Sequence, residues 1–198
     1  MENCFPYGEK EIAHLQKKDR KLGLAIERIG MIKRSVNPSV FPALVESIVG
    51  QQISSKAAAT VCKRLREASG LDPERLDALT ALEIQSLGMS MRKAGYIKAA
   101  AAHAVSGSID FSGLSQKTDR EVIEILTKID GVGVWTAEML LLFSLGRPDI
   151  VSFGDLAIRR GMMNLYGIKE LTKERFMRYR KRYSPYGSVA SLYLWELS

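Results

Sequence analysis

Apolar residues recur at helical spacing along almost the whole chain. Leu15, Leu22, Ile26 and Ile29 keep one face until Gly30. Asn37-Pro38 reads as a cap followed by proline at the first helical position, opening an apolar segment from Phe41 to Val49. Ser54 or Ser55 can cap the next helix, which runs through Ala57-Ala58-Ala59 to Leu65 and stops near Gly70. Asp72-Pro73 starts a short one. Thr80-Ala81-Leu82-Glu83 and Thr118-Asp119-Arg120-Glu121 match the reciprocal capping box. Ser90 begins a helix through Tyr96 and Ala100 that ends near Gly107. The segment Trp135 to Leu145 is an apolar helix closed by Gly146, with Pro148 beyond it. Three further helices are predicted over 156–166, 172–183 and 186–197. No stretch alternates apolar and polar residues as a strand would, so the pattern predicts an all-α chain without internal repeats.

Composition narrows this picture without changing it. At 198 residues, 46% hydrophobic and 26% charged, the chain can bury a core as one unit or two small lobes. No apolar run is long enough to span a bilayer. The start, Met1 to Pro6, lacks a basic region followed by an apolar one, so no signal peptide is expected and a cytoplasmic, nucleoid-associated location follows. A net charge of +7 favours a polyanionic partner. Cys4 and Cys62 cannot make a four-cysteine metal site, and His14 and His103 are not spaced as zinc ligands. Cys62 reads as a buried small hydrophobe.

Two segments carry chemistry. In the first, Gly131-Val132-Gly133 joins helices predicted over 118–129 and 134–146. Glycines permit unusual backbone angles and close approach to a phosphate oxygen. The amides that open the second helix point outward, and its dipole favours an anion. Gly131, Val132, Gly133 and Thr136 are therefore the candidate phosphate-binding residues; the same glycines would also serve an ordinary corner between helices. In the second segment, Asp155 follows Gly154 at the start of a helix. A carboxylate there can cap that helix, act on a ligand, or do both. The run Arg175, Arg178, Arg180, Lys181, Arg182 could touch phosphates or remain a solvated face, and Arg92 and Lys93 beside a helix N-terminus are further candidates.

Five ordered blocks carry a resemblance. They are Phe41-x-x-Leu44 through Ile48-Val49-Gly50-Gln51-Gln52-Ile53-Ser54 with Lys56-Ala57-Ala58; Leu87-Gly88-Met89-Ser90 with Arg92-Lys93-Ala94-x-Tyr96-Ile97; Gly131-x-Gly133-x-Trp135-Thr136-Ala137; Gly154-Asp155-Leu156-Ala157-Ile158-Arg159-Arg160-Gly161; and Pro185-Tyr186-Gly187-Ser188-Val189-Ala190. Together they resemble the helix-hairpin-helix (HhH-GPD) DNA glycosylase superfamily, in its 3-methyladenine DNA glycosylase II branch. The resemblance implies an all-α fold of two helical lobes flanking a DNA-binding cleft, as a single domain over 1–198. The N- and C-terminal helices (about 1–33 and 147–198) would form one lobe and about 34–146 the other.

The resemblance also implies an activity. Alkylated purines of the 3-methyladenine type would be flipped out of the duplex and released by hydrolysis of the N-glycosidic bond, leaving an abasic site for base-excision DNA repair. Asp155 matches the catalytic aspartate. Bond cleavage builds positive charge on the sugar, and one carboxylate at about 4 Å in an effective dielectric near 20 is worth roughly 4 kcal/mol, about three decades in rate. Bifunctional members carry lysine in the pattern Gly-x-Gly-x-Lys. This chain has Trp135 there, which implies a monofunctional enzyme. Gln52, with Gln51 beside it, matches the residue that fills the space left by the flipped base; the plainer reading is a solvated helix-end amide. Trp135, Tyr186 and Met139 match base-pocket positions, where aromatic faces would attract a cationic base; core packing would also account for the two aromatics.

No catalytic cofactor is implied, only a structural monovalent or water-ligated cation on the carbonyls of Thr127, Ile129 and Gly131. The expected partner is double-stranded DNA containing damaged bases, met by a monomer with no membrane association. Ser152, Gly187 and Met139 depart from common residues of the family and bear on the damage spectrum. Two other functions fit parts of the pattern: a non-catalytic helix-hairpin-helix DNA-binding protein, and a glycosylase for oxidised or deaminated bases.

Overall fold

In a computed structural model the described residues run from 3 to 198. Met1 and Glu2, where the segment without a signal pattern begins, lie outside them. Twelve α-helices and one 3-10 turn are formed among the described residues. The first six are α1 (Glu9–Lys18), α2 (Arg20–Ile29), α3 (Val40–Gly50), α4 (Ser55–Ser69), α5 (Pro73–Ala78) and α6 (Ala81–Ser86). After them come α7 (Met91–Val105), the 3-10 turn Gly113–Gln116, α8 (Asp119–Leu126) and α9 (Val134–Phe143). The last are α10 (Leu156–Tyr166), α11 (Lys173–Tyr183) and α12 (Gly187–Glu196). The only extended pairing described is a single antiparallel bridge between Cys4 and Ser35. The all-α expectation holds, and the chain divides into two units, Met1–Val36 with Leu141–Ser198, and Asn37–Leu140.

In the first unit, the face that runs from Leu15 to Ile29 is split into two helices. Asp19 leaves helical geometry and caps α2, its Oδ1 accepting from the Leu22 amide at 3.0 Å. Only 3% of Asp19 is exposed. Its Oδ2 accepts from the Tyr166 hydroxyl at 2.6 Å and from Arg182 Nη1 at 3.1 Å. Tyr166 and Tyr183 share a hydrogen bond of 2.7 Å, and burial raises both phenol pKa values, so the hydroxyls stay protonated. The Arg182 guanidinium also lies 5.1 Å from the Tyr179 ring centroid. A buried carboxylate is tolerable here because every bond offered to it comes from a donor.

One of the family departures, Gly187, is explained by packing in this unit, and Ser152 is not. Asp149 Oδ1 accepts from the Gly187 amide at 3.0 Å and Oδ2 from the Ser184 hydroxyl at 2.7 Å. A Cβ at 187 would come within 2.6 Å of Asp149 Oδ1 and 2.7 Å of Val151 Cγ2. The carboxylate thus occupies the space a side chain at 187 would need. Ser152 is fully buried, and its hydroxyl has no hydrogen-bond partner among the described residues.

In the second unit, α7 packs against α3, α5 and α6. Its buried positions are Ala94, Ile97, Ala100 and Ala101, and the three alanines allow close approach. Leu44, Val45, Ile48 and Val49 bring the apolar face of α3 into the same core. Both predicted capping boxes form, at Thr80 with Glu83 and at Thr118 with Glu121. Helix α3 starts at Val40 rather than at Pro38, because the Asn37 side chain accepts from the Ser39 amide and makes a turn first. Cys62 is half-buried rather than buried; burial chiefly, with Glu46, raises its thiol pKa, and Arg66 opposes this.

The first unit places one strict limit on substitution. Helices α10 and α12 meet at Gly161, where a Cβ would run into the Leu194 main-chain carbonyl. Gly161→Ala is expected to cost about 3 kcal/mol through overpacking against backbone that cannot yield, and to lower the melting temperature by roughly 6–12 °C in thermal denaturation.

Candidate functional site

The hairpin belongs to the second unit. Helix α8 ends at Leu126, and the turn closes with the Val132 amide donating to the Ile129 carbonyl at 3.0 Å. Gly131 takes φ +81°, and a Cβ there would enter the ring of Tyr96. The glycine is therefore needed twice, for its backbone angle and for its contact. The Ala137 amide bonds the Gly133 carbonyl at 3.1 Å, which makes Gly133 the residue that opens α9. Amides of the first turn have no partner within their own helix. Gly131 and Gly133 are exposed, whereas Val132 and Thr136 are buried, with Thr136 3% exposed. The side chains at 132 and 136 support the turn, and only main-chain atoms there are suited to an anion.

A cleft of about 870 Å³ opens beside this turn, lined among others by Gln51, Gln52, Lys93, Tyr96, Trp135 and Thr136. Trp135 is 43% exposed and is therefore not a core residue. Met139, on the same helix, is half-buried. The two glutamines differ. Gln51 Nε2 donates to the Gly131 carbonyl at 2.9 Å, while Gln52 is exposed with φ +56°. Lys93 Nζ donates to the Val49 carbonyl at 2.8 Å and to the Gln51 carbonyl, so its half-buried side chain is tied to the end of α3. Burial lowers its pKa from the usual lysine value. Arg92 stays exposed, its guanidinium 5.9 Å from the Tyr96 ring centroid. Of the carbonyls considered for a cation, those of Ile129 and Gly131 each already accept one hydrogen bond.

Asp155 and Tyr186 belong to the first unit. Asp155 caps α10 as its position suggests, Oδ1 accepting from the Ile158 amide at 2.9 Å. A second donor reaches the same oxygen: Trp195 Nε1 at 3.2 Å. The Trp195 ring stacks on Phe143 at 5.5 Å, and Arg34 lies 5.4 Å from the other ring's centroid. With Asp155 7% exposed, its carboxylate is oriented by groups that are themselves fixed. Trp195 escapes the sequence reading because it stands forty residues from Asp155 in an apolar helix, with no spacing to link them. Tyr186 is half-buried and meets the His14 ring edge-on at 5.1 Å. The basic run on α11 stays mostly exposed, with only Arg180 half-buried; Arg175, Arg180 and Arg182 donate to the Glu170 carbonyl, the Asp149 carbonyl and Asp19.

Two helices joined by a Gly-x-Gly hairpin, in an all-helical chain with a capped and oriented aspartate, define a helix-hairpin-helix protein. The model of the HhH-GPD superfamily base excision DNA repair proteins matches residues 45–185, and the chain belongs to that superfamily. A DNA-3-methyladenine glycosidase from Bacillus halodurans is similar in structure, with a TM-score of 0.86 and 38% identity over 98% of this chain and 91% of that one. A 3-methyladenine DNA glycosylase from Schizosaccharomyces pombe, solved in complex with abasic DNA, gives a TM-score of 0.83 and 30% identity over 95% of this chain and 96% of that one. In sequence, DNA-3-methyladenine glycosylase 1 of Schizosaccharomyces pombe is 32% identical over 164 residues, 80% of this chain and 72% of the relative.

The hairpin's reliance on Gly131 can be measured through stability alone. Gly131→Ala is expected to lose about 2–4 kcal/mol from the left-handed backbone and the clash with Tyr96. Placing the same change in a Tyr96→Ala background should remove the clash and leave the backbone cost, a coupling readable from denaturant melts of the four proteins.

Proposed function

We propose that this protein is a monofunctional DNA glycosylase that hydrolyses the N-glycosidic bond of alkylated purines, of the 3-methyladenine type, and leaves an abasic site. The observation that carries the proposal is Asp155, a buried carboxylate capping α10 and hydrogen-bonded by Trp195, in a chain that matches 3-methyladenine glycosylases over most of its length. The substrate is double-stranded DNA containing a damaged base, met by a monomer in the nucleoid. Main-chain amides around Gly131–Gly133 hold a phosphate without reading sequence, so they position and do not specify. Asp155 stabilises positive charge as it builds on the sugar and orients the attacking water.

An alkylated purine is already a good leaving group and needs little protonation, which suits a site whose chemistry is one carboxylate. Trp135, in the position lysine takes in bifunctional members, offers no amine for a Schiff base. Trp135 and Tyr186 supply aromatic faces for a cationic base, with Met139 as a softer neighbour. Gln52 fills the space the base vacates. A cation on the carbonyls of Thr127, Ile129 and Gly131 would share the Ile129 and Gly131 oxygens with existing hydrogen bonds, using their second lone pairs. It would add positive charge beside a phosphate, and no step of the hydrolysis depends on it.

Base release from methylated duplex DNA, with products identified by chromatography, tests the proposal. Wild type is expected to release 3-methyladenine without strand cleavage and without borohydride trapping. Asp155→Asn is expected to keep DNA binding and lose roughly a thousandfold in release. No release of any damaged base by wild type would leave the protein a DNA-binding module. Trp195→Phe keeps a ring to stack on Phe143 but removes the donor to Asp155; single-turnover release should slow by about tenfold with little change in the binding constant for DNA.

A further inference from the structure

Lys93 is the third residue of α7, yet its ammonium serves a different helix. It donates to the main-chain carbonyls of Val49 and Gln51 at the C-terminal end of α3. Carbonyls there lack partners in their own helix and carry the negative end of its dipole, so a cation satisfies both needs. Gln51 is held from a second side, because its amide donates to the Gly131 carbonyl of the hairpin at 2.9 Å. Its own main-chain N–H closes on the Ile48 carbonyl at 3.3 Å. The next residue, Gln52, stands at φ +56°, a backbone conformation unfavourable for a residue with a Cβ. Such a conformation persists only where its neighbours are over-determined, and Gln51, held at its main-chain N–H, main-chain carbonyl and side chain, is such a neighbour. A lysine that merely closed a helix end would not account for the left-handed residue directly after it.

We propose that Lys93 is the positioning residue for Gln52: by holding the carbonyls of Val49 and Gln51 it keeps Gln52 in its left-handed conformation and presents the Gln52 side chain at the cleft. The inference rests on the reading that Gln52 fills the space of a flipped base. Lys93 touches neither substrate nor reacting atoms. Its family block and its place beside a helix start suggest a phosphate contact, but in this fold its hydrogen bonds are made to the protein.

Two measurements test this on the full chain. Hydrogen exchange of the free protein reads the turn directly. Lys93→Met, which keeps the stem and removes the donors, should speed exchange of the Gln51 main-chain amide, which bonds the Ile48 carbonyl, by about tenfold while exchange elsewhere and the melting temperature hold. Single-turnover base release from methylated duplex should slow by about tenfold in the same variant. In a Gln52→Ala background Lys93→Met should slow release no further, and adding Gln52→Asn to Lys93→Met should restore part of it, since Asn tolerates the left-handed region. Unchanged exchange of the Gln51 main-chain amide, or losses that simply add with Gln52→Ala, would overturn the assignment. If Lys93→Met does not fold, Lys93→Gln is read in the same way. Should wild type release no base, the repair reading fails, and the exchange measurement still decides whether Lys93 braces the turn.

Discussion

The left-handed backbone of Gly131, seated against the Tyr96 ring, is the constraint on which the hairpin unit depends. Because no Cβ intervenes, the turn lies on α7, and its carbonyl is turned to Gln51. Gln51 is held in turn by Lys93, whose ammonium closes the end of α3. One run of contacts therefore joins the Gly131 turn to the exposed Gln52. Its parts come from three separate segments of chain: α3 with the residues after it, α7 and the hairpin. Each bond is modest, and their common geometry does what no single bond could, which is to hold a residue with a Cβ at φ +56°.

The first unit solves a different problem, the seating of carboxylates that are buried (Asp19, Asp155) or half-buried (Asp149). Asp19, Asp149 and Asp155 each cap, close or anchor a segment, and each is met by donors from elsewhere in the unit. Asp19 and Asp149 are tied into tyrosine, serine, arginine and main-chain donors that lock α11 and α12 to their neighbours. Asp155 combines the cap of α10 with a bond from the indole N–H of Trp195, itself stacked on Phe143. Capping and catalysis, which compete as explanations when Asp155 is read in sequence, are compatible in structure. The cap fixes the carboxylate's direction.

Local chemistry made most of the helical plan legible. Thr80, Thr118, Ser54, Asp72 and Ser90 cap where their hydroxyl or carboxylate spacing predicts, because a cap depends only on residues three positions away. The misses share a cause as well. Leu15 to Ile29 keeps one apolar face, but Asp19 breaks it because Tyr166 and Arg182 reward burial of the carboxylate there. Within the basic run of α11, Arg180 and Arg182 likewise reach acceptors far off in the chain, at Asp149 and Asp19, while Arg175, Arg178 and Lys181 stay exposed as a solvated face would.

By itself the sequence determined the all-α class, the Gly-x-Gly hairpin, the helix that Asp155 opens, and membership of the glycosylase superfamily, since helical periodicity, caps and ordered motifs are properties of neighbouring residues. Only the tertiary structure decided which side chains serve those motifs. Trp195 reaches Asp155 across forty residues, Lys93 reaches Gln51 across forty-two, and Gln51 reaches Gly131 across eighty. A hydrogen bond is specified by direction and distance in space, and along a chain of helices neither is encoded by spacing in sequence.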